Sequence, residues 1–185
     1  MTKKQMDGET FLAQWRKDKT DFQGVKLEPK TEICNLNLTG INLRGANLFG
    51  VCLFNTVLRG ARLNGASFQS ANLRKADLTE SVANGIGMAF SDAQKVILTD
   101  AKLIDARLCG ADIRGAVDLM DCDFNKALFC NTVVTKDQKR QILDKYEVAK
   151  MPLKGKMKIP TGPYIRTFEH GEPFEVLAEG KRHKL

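Results

Sequence analysis

Apolar residues recur at every fifth position through the middle of this chain. Stepping by five from Ile33 to Ile113 meets 17 positions, and all of them are apolar although only 43% of the whole sequence is hydrophobic. Chance would produce such a series about once in a million, so the period is a property of the fold. A second column, two residues earlier, runs from Thr31 to Ala116, and nine of its 18 members are Ala. The pattern predicts one inward column of large residues and one of small residues.

A period of five matches neither a helix nor a simple strand, whose periods are about 3.6 and 2.0. Two inward residues separated by one outward residue indicate a very short extended segment, and the gap before the next pair requires a bend. A chain that bends the same way in every unit winds into a coil, and stacked coils bury a continuous apolar column. We therefore predict an all-β solenoid with its frequent glycines at the bends.

Several units share a motif. The clearest copies are Ala46-Asn47-Leu48, Ala71-Asn72-Leu73, Ala76-Asp77-Leu78 and Ala111-Asp112-Ile113. In this motif the chain resembles the pentapeptide repeat family, whose unit is A(N/D)LXX. The resemblance covers about residues 22–134 and implies a right-handed quadrilateral β-helix with four units per coil.

The stretch between Leu78 and Leu98 is less regular, since its units read SVANG, IGMAF and SDAQK. Its length equals one whole coil of four units, which favours a degenerate coil that keeps phase. The alternative is an extruded surface loop at the turn-prone residues Asn84, Gly85 and Gly87. In some family members such loops contact the partner, so this segment is a candidate functional loop.

Two phase breaks lie near the ends of the repeat. One extra residue occurs near Glu28-Pro29-Lys30, and another follows Ala116. Both predict bulges at corners of the coil. The chain then divides into an N-terminal capping helix segment (1–21), the pentapeptide repeat β-helix (22–135), a C-terminal capping helix (136–150) and a basic tail that contains Pro and Gly (151–185).

The exposed backbone at each end of a solenoid needs a cover. The segment Gly8–Lys17 follows Asp7, a suitable N-cap residue, and its aromatic face is expected to close the first coil. At the other end, Thr135 and Gln138 have the spacing of a capping box.

The helix predicted after this capping box runs through about Lys150. It carries an apolar stripe that serves either as a cap or as a homodimer contact, with the candidate residues Ile142, Leu143 and Tyr146. In the tail, Tyr164–Phe168 and Phe174–Leu177 are candidate short strands. The tail is either solvated or a partner-binding arm.

The sequence offers little material for catalysis. The histidines are His170 and His183, both in the tail, and the five cysteines (34, 52, 109, 122 and 130) form no CxxC pair. We expect no catalytic residue, no metal site and no cofactor. The odd cysteine count argues against a disulfide framework and suits a reducing cytoplasm. We expect neither a transmembrane helix nor a secretory signal, because the chain lacks a sufficiently long apolar run.

Charge varies along the chain. Residues 22–75 hold seven Lys or Arg against two Glu, whereas residues 76–125 hold four against nine Asp or Glu. The formal net charge of +7 therefore comes mainly from residues 136–185, with 12 basic and seven acidic residues. The two oppositely charged ends give a candidate partner surface: Arg59, Arg62, Arg74, Asp100, Asp105 and Asp112.

These observations favour a non-catalytic, cytoplasmic protein-binding scaffold whose partner the sequence does not name. A first alternative comes from relatives of the quinolone-resistance type, which imitate duplex DNA and bind DNA gyrase. Their mimicry requires an acidic surface, whereas this rod is near neutral. A second alternative is nucleic-acid binding through the basic tail. Neither nucleic acid nor a membrane is the expected partner.

Overall fold

The computed structural model describes residues 5–17, 20–129, 131–150 and 174–179. The repeat forms stacked coils joined by parallel β-bridges. Asn42 bridges to Arg62, Arg62 to Val82 and Val82 to Lys102, so one coil contains 20 residues. The predicted coil of four units is therefore confirmed.

Each coil has four sides, and the stacked bridging residues of one side define a face. The first face contains Glu32, Cys52, Asn72, Asp92, Asp112 and Val133, and the second contains Asn37, Val57, Asp77, Ile97 and Val117. The third face contains Asp21, Asn42, Arg62, Val82, Lys102 and Asp123, and the fourth contains Lys26, Asn47, Ser67, Gly87, Arg107 and Leu128.

Both inward columns lie in the core. All 17 large-column residues from Ile33 to Ile113 are at most 2% exposed. Burying a Leu or Ile side chain is worth about 1.5–3 kcal/mol, so this column dominates the stability of the rod. Two hydroxyl groups in the small column bond to the backbone: Thr56 Oγ1 donates to the carbonyl of Ile33 at 2.8 Å, and Ser91 Oγ donates to that of Met88 at 2.8 Å.

A residue with positive φ lies at nearly every bend, two positions after the large inward residue. Nine described glycines take this conformation, as expected, but so do 13 other residues, among them Lys75 and Phe90 with φ of 58°. None of the 13 is β-branched, in accord with the crowding that the left-handed region imposes on a branched Cβ. The bends therefore favour glycine without requiring it.

Both predicted phase breaks are present as extra residues in the coil. Lys26 and the residue it bridges, Asn47, are 21 positions apart in the sequence. From the bridge between Glu32 and Cys52 onward the separation is 20 positions. It is 21 again between Lys102 and Asp123. The second bulge places Leu119 in the core, where it is 3% exposed.

The N-terminal end is covered by helix α1 (Gly8–Trp15) and strand β1 (Gln5–Met6), which pairs in parallel with β2 (Lys26–Leu27). The Asp7 carboxylate accepts a hydrogen bond from the Thr10 backbone N–H at 2.7 Å, which lowers the pKa of Asp7. Phe11 is fully buried, with its ring 4.5 Å from that of Phe22 in the first coil. The predicted aromatic cap is confirmed.

The C-terminal end follows the prediction only in part. The capping box is present: the Thr135 N–H donates to Gln138 Oε1 at 2.9 Å, and the Gln138 N–H donates to Thr135 Oγ1 at 3.2 Å. Helix α2, however, spans only Lys136–Lys145, because the next residues form strand β4 (Tyr146–Lys150). The prediction of a helix through Lys150 is wrong.

Strand β5 (Phe174–Glu179) explains this change, since it pairs antiparallel both with β4 and with β3 (Leu128–Phe129) in the last coil. Backbone pairing with a distant segment overrides the local helical pattern. The strand predicted at Phe174–Leu177 is confirmed, whereas Tyr164–Phe168 lies outside the described residues.

Candidate functional surface

The six charged residues proposed as a partner surface lie on three different faces. Arg74 and Asp112 belong to the first face, Arg59 and Asp100 to the second, and Arg62 and Asp105 to the third. A segment of 20 residues returns to the same face, so charges that are neighbours in the sequence point in different directions. The structure does not bring these residues together into one surface.

Three of them are engaged in ion pairs. Arg59 Nε lies 3.1 Å from Asp77 Oδ2, and an Arg74 guanidinium nitrogen lies 3.4 Å from Asp92 Oδ2. Arg114 approaches Asp112 Oδ2 at 2.6 Å, and the side-chain hydrogen bond with Asp112 raises the pKa of Arg114. Such partly exposed pairs contribute about 0–1 kcal/mol each. Each pair cancels charge only locally on its face.

The candidate loop is a coil. Val82 and Gly87 bridge to residues of the preceding coil and also to Lys102 and Arg107 of the following one. Asn84 is half-buried and its N–H donates to Asn64 Oδ1 at 3.0 Å, while Gly85 occupies an ordinary bend with φ of 66°. The alternative of an extruded loop at Asn84, Gly85 and Gly87 is therefore wrong.

Ile142 of the candidate dimer helix belongs to the hydrophobic core and is 1% exposed. It packs onto its own rod, in support of the capping interpretation. Tyr146 lies in β4 and not in the helix, and the side chain of Leu143 falls outside the described part of the chain. The homodimer stays a prediction.

The cysteines depart from the expectation. Cys34 and Cys52 are disulfide-bonded, with their Cα atoms 5.9 Å apart, and Cys109 is disulfide-bonded as well. The winding of the coil brings Cys34 beside a residue 18 positions further along the chain. The argument against disulfides was wrong. Because disulfides persist mainly in oxidising compartments, the cysteines no longer support a reducing compartment.

Cys122 is a buried thiol that forms no disulfide. Burial raises the pKa of its thiol well above the ordinary value, and its Sγ donates to the Leu119 carbonyl at 2.9 Å. A neutral, buried thiol is a poor nucleophile and a poor metal ligand. In the described ranges no three His, Cys, Asp or Glu side chains gather into a metal site, and no helix there is long and apolar enough to cross a bilayer.

The family model for pentapeptide repeats matches residues 46–82 and 90–135, in eight copies. The chain belongs to the pentapeptide repeat family. Its fold is the right-handed quadrilateral β-helix that the resemblance implied. Both members of each of the three ion pairs lie within the matched residues.

Solved structures of other pentapeptide repeat proteins are similar to this chain. Rfr23 from the cyanobacterium Cyanothece 51142 has 20% identity and a TM-score of 0.56, with 68% of this chain and 94% of that chain covered. HetL from the cyanobacterium Nostoc sp. strain PCC 7120, involved in heterocyst differentiation regulation, has 28% identity and a TM-score of 0.42. The match covers 59% of this chain but 49% of HetL, so the chain spans about half of HetL's length.

The plasmid-mediated fluoroquinolone resistance protein QnrB1 has 18% identity and a TM-score of 0.40, over 65% of this chain and 88% of that chain. A search of curated proteins found no match. The similarity to solved structures therefore extends to the fold and not to an activity.

A further surface escaped the sequence reasoning. Phe49 and Phe90 on the fourth face are 42% and 39% exposed, which is unusual for such large apolar side chains in this rod. The outward residues between them on this face, Ser67, Gln69 and Ser70, are uncharged. Reading the outward positions in steps of 20 residues would have shown that both rings lie on one face. Steps of five residues pass from face to face and hide this.

Proposed function

We propose that this pentapeptide repeat protein is a non-catalytic protein-binding scaffold. The observation that carries the proposal is the solid core, in which the large-column residues are at most 2% exposed. A rod filled in this way leaves its outward side chains as the means of contact. A rigid, regular β surface is suited to docking a partner.

The chemistry of the described residues supports the same conclusion. Cys122 is the one thiol among them outside a disulfide, and it is buried and neutral. The carboxylates of Asp77, Asp92 and Asp112 lie in ion pairs on flat faces. Pentapeptide repeat proteins are generally non-catalytic.

Affinity capture tests the proposal. The immobilised full chain is incubated with nuclease-treated extract of the source organism, and untagged chain in excess serves as competitor. We expect one protein to be retained in constant ratio to the bait and released by the competitor. Retention from untreated extract but not from nuclease-treated extract, or the absence of any competable protein, would contradict a protein-binding scaffold.

A gyrase supercoiling assay separates the DNA-mimic alternative. Arg59, Arg62 and Arg74 place positive charge on three of the faces, where a mimic of duplex DNA needs negative charge. We expect no inhibition of supercoiling and no protection from quinolones at micromolar protein. Clear inhibition or protection would favour the mimic over the scaffold.

A further inference from the structure

The fourth face has an uncharged region that we name the neutral face. It comprises the outward residues of three consecutive coils: Asn47, Phe49, Ser67, Gln69, Ser70, Gly87, Ala89 and Phe90. In the same coils the first face carries Arg74, the second carries Arg59 and the third carries Arg62. The neutral face is thus the one side of these coils that offers an apolar contact without the desolvation of a charge.

The neutral face combines two aromatic side chains with small neighbours. The exposed rings of Phe49 and Phe90 arise two coils apart, about 10 Å along the rod. A Cβ added at Gly87 would have no atom closer than 3.9 Å, so this position has room for an incoming side chain. Aromatic side chains beside small residues are typical of the energetic centre of an interface.

Basic residues border the neutral face at both ends. Lys26 lies one coil before Asn47, and Arg107 lies one coil after Gly87; both are exposed. Lys30 is exposed and lies one coil before Gly50. The backbone N–H of Lys30 donates to the Gly50 carbonyl at 3.0 Å. The single acidic residue on this border is Glu28, which accepts a hydrogen bond from Gln5 at 3.4 Å. A partner with acidic groups on either side of an apolar centre would complement this charge pattern.

Charge argues against a second copy of the chain as the occupant of this face. In an antiparallel pair Lys26 would approach the second copy's Arg107, and in a parallel pair each lysine would meet its own equivalent. Both arrangements oppose like charges.

The backbone hydrogen bonds of this face decide the form of the occupant. The N–H of Ser67 donates to the Ala46 carbonyl at 2.8 Å, and the N–H of Phe68 donates to the Gly87 carbonyl at 2.6 Å. Since these groups are used between coils, the face has no open edge to which a strand can add. An amphipathic helix satisfies its own backbone and binds through side chains.

We propose that the neutral face binds an amphipathic α-helix of a partner protein, with apolar residues at its centre and acidic residues near both ends. The proposal rests on the protein-binding function above. Lys26 and Arg107 are separated by four coil steps, about 19 Å. A helix of about 13 residues spans that distance.

Photo-cross-linking in extract of the source organism tests the site and its occupant. Benzoylphenylalanine replaces Ala89 on the neutral face or, as the matched control, Thr39 at the same position of a second-face unit. We expect cross-links from position 89 alone. They should join a partner peptide that has apolar residues at helical spacing and Asp or Glu at its ends. Cross-links from both positions alike, or to a second copy, to nucleic acid or to a strand-forming peptide, would overturn the proposal.

Charge variants measure the same contact by quantitative capture. Ala89→Arg should lower recovery of the captured protein about tenfold, because a charge enters the apolar centre. Arg107→Glu should lower it about fivefold at low salt, whereas Lys102→Glu, in the preceding unit on the third face, should not. If the protein is still captured with Ala89→Arg and Arg107→Glu at the original level, the neutral face is excluded and the scaffold function stands. If no protein is captured even by the unmodified chain, both fail.

Discussion

The ring of Phe90 lies over the backbone of Gly110 in the next coil. A Cβ built on Gly110 would come within 2.5 Å of Phe90 Cδ1. Both residues occupy bends with positive φ, 58° at Phe90 and 71° at Gly110. The two bends are stacked, so the absence of a side chain at one makes room for a large side chain at the other.

This relationship predicts that Gly110→Ala is more destabilising than Gly65→Ala. Gly65 has a similar φ of 65° but nothing within 4 Å of an added Cβ, so its substitution should cost only the left-handed backbone penalty, about 1–2 kcal/mol. Gly110→Ala should cost about 1 kcal/mol more, because the ring must move. Urea unfolding measures both, and Phe90→Ala should abolish the excess. Equal costs in the presence of Phe90 would show that its ring does not pack there.

The inward column predicts a sharp contrast between two adjacent residues. Leu63 is fully buried, whereas Arg62 is exposed and points outward. Leu63→Asp should cost several kcal/mol, about 3 or more, because it buries a charge without a partner. Arg62→Asp should change the free energy of unfolding by less than about 0.5 kcal/mol. Equal losses in thermal or urea unfolding would contradict the assigned column.

The disulfide between Cys34 and Cys52 should stabilise the start of the rod. Closing a loop of this length is worth about 3 kcal/mol, so a Cys34→Ser, Cys52→Ser double variant should lose about that amount under oxidising conditions. Urea unfolding with and without reductant provides the control. In reductant the two proteins should have the same stability, and a gap that persists there would assign the loss to packing instead.

The buried thiol of Cys122 should make the free energy of unfolding decline at alkaline pH. Burial raises the pKa of its thiol in the folded chain, so the folded state holds its proton more tightly than the unfolded state does. Stability is therefore fully present below the unfolded pKa of about 8.5 and falls as pH rises toward the folded pKa, by at most about 1.4 kcal/mol per pH unit.

Comparing the native protein with Cys122→Ser checks whether this thiol causes the decline. The free energy of unfolding of both is measured from pH 7 to pH 10. The variant retains a hydroxyl donor for the Leu119 carbonyl but has no titrating group in this range. It should therefore decline less steeply with pH than the native protein. Parallel pH profiles for the two proteins would mean that the Cys122 thiol does not titrate differently in the folded and unfolded chains.

The repeat itself determined much of this protein from its sequence. The large column from Ile33 to Ile113, both phase breaks and the capping box at Thr135 are all present as expected. These features depend on residues within one unit or in its immediate neighbours. Local spacing is enough to specify them because each unit repeats the same contacts.

Tertiary structure decided the rest. The Cys34–Cys52 disulfide, the strand at Tyr146–Lys150 and the separation of Arg59, Arg62 and Arg74 onto three faces all depend on contacts between segments distant in the sequence. A five-residue period determines whether a side chain points inward or outward. Which face it joins, and what lies above it, depends on the winding of the whole coil and on the return of β5 to the last coil.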